Sequence, residues 1–106
     1  MSADAIVMLS TASSEEEAKT IASALVEGHL AACVNIVPGV RSIYFWEGKV
    51  QDEREWLCVI KTRAQRQEQV TETIQRLHSY TCPEAIALPV VAGSEAYLEW
   101  LHQVTE

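Results

Sequence analysis

The chain has 106 residues, 48% of them hydrophobic and 22% charged, with a formal net charge of −7. That length reads as a single domain over residues 1–106, large enough for a real core and too small for two. The acidic balance argues against a nucleic-acid partner, which calls for a basic patch, and no apolar run reaches the ~20 residues of a membrane helix.

Residues 5–9 (AIVML) form a continuous apolar run of strand length and read as a strand buried on both faces. A small polar break follows at Ser10, Thr11, Ala12 and Ser13. Ser14 with Glu17 makes an S-x-x-E capping box, with Glu15 and Glu16 also at the positive end of the helix dipole. Ala18, Ile21, Ala22 and Leu25 then recur at helical spacing, and Gly28 stands where a helix stops.

Residues 33–62 read as two long strands folded back on each other at Glu47-Gly48, with β-branched and aromatic residues dense in 40–46 and 56–60. Pro38-Gly39 predicts a bulge or bend in the first strand. At roughly 3.3 Å per residue each arm spans about 45 Å, against a diameter of roughly 35 Å for a compact chain of this size. Unless the hairpin bends sharply it therefore projects, and a projecting apolar hairpin calls for another chain to cover it. Residues 50–55 are polar and read as solvent-facing or as a polar interface, while 56–60 (WLCVI) read as central in a sheet.

Thr62 and Gln65 offer a second capping box, and Val70, Ile74 and Leu77 give the next helix a narrow apolar stripe that ends near His78, ahead of Pro83. Residues 85–91 (AIALPVV) read as a third apolar strand, placed at an edge because Pro89 has no N–H to donate. Gly93-Ser94 opens a last helix with Tyr97, Leu98 and Leu101 on its inner face. The order of elements predicts an α+β, ferredoxin-like split βαβ fold with a long β-hairpin and an extra C-terminal helix. Its first and third strands are central, and the sheet face left without helices is expected to meet a second copy of itself.

No phosphate loop, nucleophile elbow or zinc-protease motif is present, and the chain reads as a binding protein and not an enzyme. Cys33, Cys58 and Cys82 are odd in number and lack metal-type spacing. The N-terminus has no basic region ahead of its apolar run, so there is no sign of a secretory signal, and the thiols read as reduced, in a cytoplasmic protein. Cys58 falls in a core strand and Cys82 in a loop. Cys33 is either a small buried strand residue or one half of a nucleophile–base pair with His78. His78 and Tyr80 follow a helix end, where a histidine either satisfies the last carbonyls or serves as a ligand. Lys61 and Glu84 sit at strand ends, where charges either line a cleft or form a solvated ion pair.

The segments AAC (31–33), PG (38–39), YFWEGK (44–49), VIKT (59–62), HSYTCPE (78–84), LPV (88–90) and YLEWL (97–101) occur in order through the chain. In these it resembles the CutA divalent-cation-tolerance family. The resemblance implies a ferredoxin-like fold assembled as a tight homotrimer, similar to PII-type signalling trimers, and a response to divalent metal ions, copper in particular. In bacterial relatives the proposed copper ligands are a Cys ending the first strand and a His pair ending the second helix. Ser10 and Leu77 stand at two of those positions here, leaving His78 as the metal candidate and Cu(II) or another divalent ion as a weakly bound cofactor. The alternative is a PII-like regulatory module holding a small ligand in an intersubunit cleft, with Cys33, Trp46, Lys61, Tyr80 and Glu84 as candidate contacts.

Overall fold

The structure, a computed structural model, describes residues 4–106. The N-terminal segment judged above for a signal begins at residues 1–3, outside the described residues. The elements are β1 (Ala5–Ala12), α1 (Glu15–Glu27), β2 (Cys33–Trp46), β3 (Lys49–Arg63), α2 (Gln67–Leu77), β4 (Ile86–Pro89) and α3 (Glu95–Val104). The strands form one antiparallel sheet in the order β2-β3-β1-β4, so β1 and β3 are central and β4 is an edge, as the split βαβ reading requires.

β1 does not break at Ser10. It continues to Ala12, because β3 pairs with it through Ser10↔Cys58 and Ala12↔Trp56, and both small side chains are buried against the helices. Met8, Cys58 and Ile60 on that sheet face pack with Ile21 and Leu25 of α1 and with Val70 and Ile74 of α2. Ala22 is only half-buried, on the flank of the α1 stripe. The opposite face carries α3 alone, where Leu98 and Leu101 pack on Ala5 and Ala32. Tyr97, expected inside, is instead exposed and rests against Trp100, with ring centroids 5.4 Å apart.

The second capping box does not form. β3 runs on to Arg63, a 3-10 turn occupies Ala64–Arg66, and α2 begins at Gln67 with no side-chain cap. Thr62 faces the core and its Oγ1 donates to the carbonyl of Leu30 at 2.6 Å, so its hydroxyl is taken by tertiary structure. The apolar strand expected over 85–91 shortens to Ile86–Pro89, bonded to β1 alone.

The hairpin projects. β2 and β3 have 14 and 15 residues, and the molecule measures 44 × 25 × 22 Å, its long axis matching what such a strand spans at roughly 3.3 Å per residue. Glu47 and Gly48, at φ 52° and 76°, form the two-residue turn closed by the Trp46↔Lys49 pair, a conformation suited to the strand twist. A bulge falls between the pairs Val37↔Leu57 and Val40↔Glu55, with Gly39 at φ 72°.

Two contacts fix the loop after α2. Glu17 accepts from the backbone N–H of Ser13 at 2.9 Å and of Ser79 at 2.7 Å, while Ser14 caps α1 through the N–H of Glu17 at 3.0 Å. Partial burial pushes the Glu17 carboxyl up, but the hydrogen bonds from Ser13 and Ser79 outweigh it and bring the pKa from 4.5 to about 2. The imidazole of His78, read as either satisfying the last helix carbonyls or serving as a ligand, crosses to β1, its Nε2 donating to the Thr11 carbonyl at 2.7 Å.

Two outcomes test this packing. Thr62→Val leaves the Leu30 carbonyl without its donor and should cost about 1–3 kcal/mol in urea denaturation, whereas Gln65→Ala, at a position that caps nothing, should stay within about 0.5 kcal/mol. The charged form of Glu17 is favoured only in the folded chain. Its stabilisation is therefore full above pH 4.5 and is lost as pH falls toward 2. Glu17→Gln should flatten the stability–pH curve across that window, measured by denaturation at stepped pH.

Candidate functional site

Side chains alternate along a strand, so in β3 Gln51, Glu53 and Glu55 share the face that also carries Leu57, Val59 and Lys61. In β2 that face holds Cys33, Asn35 and Val37 before the bulge and Ser42, Tyr44 and Trp46 after it, as the cross-strand pairs require. The distal half of this face, the end of β1 and the loop after α2 enclose a groove of about 680 Å³. Its walls include Thr11, Tyr44, Trp46, Glu53, Glu55, Tyr80, Cys82 and Glu84.

Two phenol–carboxylate pairs set the groove's electrostatics. The Tyr80 hydroxyl donates to Glu55 Oε2 at 2.8 Å and the Tyr44 hydroxyl donates to Glu53 Oε1 at 2.7 Å. Burial, the Glu55 hydrogen bond and the charges of Glu55 and Glu53 raise the Tyr80 phenol above its ordinary value. The hydrogen bond to Glu53, then burial and the nearby carboxylates, push Tyr44 up to about 12. Both phenols thus remain protonated at neutral pH, and their protons are already committed. Glu55 lies in the segment expected to face solvent or a polar interface, yet it is only 3% exposed. The reason is that the Tyr80 loop folds over it.

Of the residues singled out in the sequence, Trp46, Tyr80 and Glu84 line the groove. Cys33 and Lys61 face each other across β2 and β3 on the same sheet face. Lys61 lies six residues along β3 from Glu55, roughly 20 Å away at a strand's rise. His78 stands behind the groove, with Nε2 donating to Thr11 and Nδ1 accepting the Tyr80 N–H at 3.0 Å. Both of its ring nitrogens are engaged, and Glu17 Oε2 lies 3.8 Å from Nδ1. Cys33 does not join it: Lys61, the partner of Cys33, is four rungs of the β1–β3 ladder from Leu57, the partner of Thr11, about 13 Å along the sheet.

Ser10 is buried beneath the helices, its hydroxyl without a hydrogen-bond partner among the described residues, and Leu77 packs against the same core. Among the described residues no group of three or more His, Cys, Asp or Glu side chains is placed to hold a metal ion. Cys58 is buried, and burial followed by the charge of Glu17 pushes its thiol up to about 11, which suits a core residue and not a nucleophile. Cys82 is exposed in the groove wall. Sequence reasoning missed Tyr44, Glu53 and Glu55. Their signal was the alternation of Gln51, Glu53 and Glu55, which points to one face only once the register across the bulge is known.

A profile of the CutA1 divalent ion tolerance protein family matches residues 6–104. The divalent-cation tolerance protein CutA of Thermus thermophilus is 50% identical over 99 residues, covering 93% of this chain and 96% of that protein. The chloroplastic CutA of Arabidopsis thaliana is 50% identical over 100 residues, and the match covers 94% of this chain and 55% of that longer protein. The solved structure of the Thermus thermophilus Cut A1 protein superposes with a TM-score of 0.94 at 49% identity, covering 96% of this chain and 99% of that one. The fold and the sequence agree, and the chain belongs to the CutA1 divalent ion tolerance family.

Proposed function

We propose that residues 1–106 act as one unit in a homotrimer that serves tolerance of divalent cations, binding copper or another divalent ion weakly and without catalysis. The observation that carries the assembly is the half-covered sheet. α3 packs at one end of the second face, while Val37, Ile86 and Leu88 are 42%, 50% and 49% exposed on it. The projecting hairpin adds Ile43, Phe45 and Val50, the last two paired across the strands. Apolar surface of this extent on a sheet with two free edges calls for a partner, and further copies of the same chain supply one economically.

His78 is the imidazole for the metal in this reading. A copper ion reaches it only by displacing the Tyr80 N–H from Nδ1 or the Thr11 carbonyl from Nε2, which fits weak binding. The second reading, a regulatory module with a small ligand at the subunit boundary, is favoured by the groove itself. Its volume of about 680 Å³ falls within the roughly 300–1,000 Å³ usual for ligand sites, and Trp46, Tyr80 and Glu84 line it. In an assembled trimer Lys61 and Cys33, on the same open face, would complete that cleft from a neighbouring copy. Three free thiols accord with a cytoplasmic setting, although the plant relative is named as chloroplastic.

Sedimentation equilibrium is expected to give the mass of three chains at micromolar concentration. Ile86→Asp with Leu88→Asp should dissociate or unfold the assembly, and a wild-type monomer would overturn the reading. Calorimetric titration of tag-free protein with Cu(II) should give an affinity weaker than about 1 μM, roughly −8.2 kcal/mol. Binding should fade as pH falls, because protons compete for the imidazole, and His78→Ala should abolish it. Nanomolar binding that survives His78→Ala would place the ligands elsewhere.

A further inference from the structure

We infer that the groove between the hairpin and the Tyr80–Glu84 loop seats Lys61 of a neighbouring copy, so that chains join head to tail along the bare sheet face. The inference rests on the proposed assembly and adds the residues that set its direction. It starts from the order of side chains along one face of β3. Past Lys49 at the turn, that face carries Gln51, Glu53 and Glu55, then Leu57 and Val59, then Lys61 and Arg63. The row runs from acid through apolar to basic. Val37 of β2 and Ile86 and Leu88 of β4 widen the apolar middle on the same face, and all three are well exposed.

The two charged ends cannot satisfy each other within one chain. Glu55 and Lys61 lie six residues apart on β3, roughly 20 Å at a strand's rise, against about 4 Å for an ion pair. Glu47, Glu53, Glu55 and Glu84 line the groove without any Lys, Arg or His, and the Tyr44 and Tyr80 hydroxyls that bond Glu53 and Glu55 are neutral donors. Lys61 has no ion pair among the described residues, while Arg63 turns toward α3, its Nη1 3.5 Å from His102 Nδ1. A second copy carries both halves of the match. Covering the apolar middle with another chain buries the charged ends as well, and charges buried there need opposite partners. Laid in the same direction, two such faces set carboxylate against carboxylate and Lys61 against Lys61. Laid head to tail, the Lys61 end of one meets the acidic groove of the next. That contact joins two different patches of the surface, so it repeats from copy to copy until a ring closes.

The test is sedimentation equilibrium of the tag-free, full-length protein over a dilution series. Wild type is compared with Lys61→Glu, with Glu53→Lys plus Glu84→Lys, and with all three changes in one chain. Each reversal alone should weaken assembly tenfold or more, because it sets like charges together, and the three together should restore it to within threefold of wild type. Glu53 and Glu84 are less buried than Glu55, so they bear the acidic reversal. Lys61→Met keeps an unbranched stem without the charge; it too should weaken assembly tenfold, and it decides the matter should a reversal fail to fold. Glu27→Lys with Glu72→Lys, at exposed positions of α1 and α2, should leave assembly unchanged. A loss as large in that pair marks a general effect of net charge and overturns the contact. A wild-type trimer whose Lys61→Met variant assembles undiminished, or whose combined variant does no better than either reversal, overturns the contact and leaves the trimer standing. A wild-type monomer overturns both.

Discussion

The bulge at Pro38-Gly39 governs what the hairpin presents. Between the pairs Val37↔Leu57 and Val40↔Glu55, β2 spends two residues where β3 spends one, Trp56. Side-chain direction has a period of two, so one inserted residue moves every later side chain of β2 to the other face. Tyr44 and Trp46 thereby join Glu53 and Glu55, and Ile43 and Phe45 are turned to the opposite side. Without the offset the apolar pair would fill the groove and the two phenol–carboxylate bonds could not form. Gly39 makes the offset sterically cheap, since its φ of 72° is one that side chains with a Cβ rarely adopt.

A second set of constraints holds the other wall. Glu17 belongs to the N-terminal turn of α1, yet it also receives the Ser79 N–H, and His78 is pinned to β1 through Thr11. The segment bearing Tyr80 is thus tied to the first helix and to the central sheet before it reaches Glu55. The same carboxylate that holds the Ser13 N–H ahead of α1 orders a wall of the groove. The His78 ring lies 4.6 Å from the Tyr80 ring, so this histidine positions the tyrosine through both its Nδ1 and its ring face.

These contacts separate two ideas that the family name joins. Membership of the divalent ion tolerance family is shared with the relatives, but the positions where a chelating site would be sought are spent on packing here. Ser10 lies in the core, Leu77 packs against it, and His78 has both nitrogens bonded. What remains open to a ligand is a groove of carboxylates and aromatic rings on the sheet face that α3 leaves bare.

The sequence by itself determined the element types and their order. Apolar runs such as 5–9 and 56–60 and the i, i+3, i+4 stripe of α1 are local patterns, and local patterns fix secondary structure and the choice of central strands. Pro89 marked an edge strand and Pro38-Gly39 a bulge for equally local reasons. Element boundaries were less legible. Ser10 through Ala12 looked like a break until β3 supplied backbone partners, and Thr62 looked like a helix cap until the Leu30 carbonyl took its hydroxyl. The groove was legible only in pieces. Trp46, Tyr80 and Glu84 could be singled out, but Glu55 looked solvent-facing or interfacial and Tyr44 unremarked, because the register across the bulge and the fold of the 78–84 loop decide who meets whom. Those decisions belong to tertiary structure. A carboxylate becomes buried, and a phenol becomes its donor, only when segments 25 residues apart in the chain are brought to 2.8 Å.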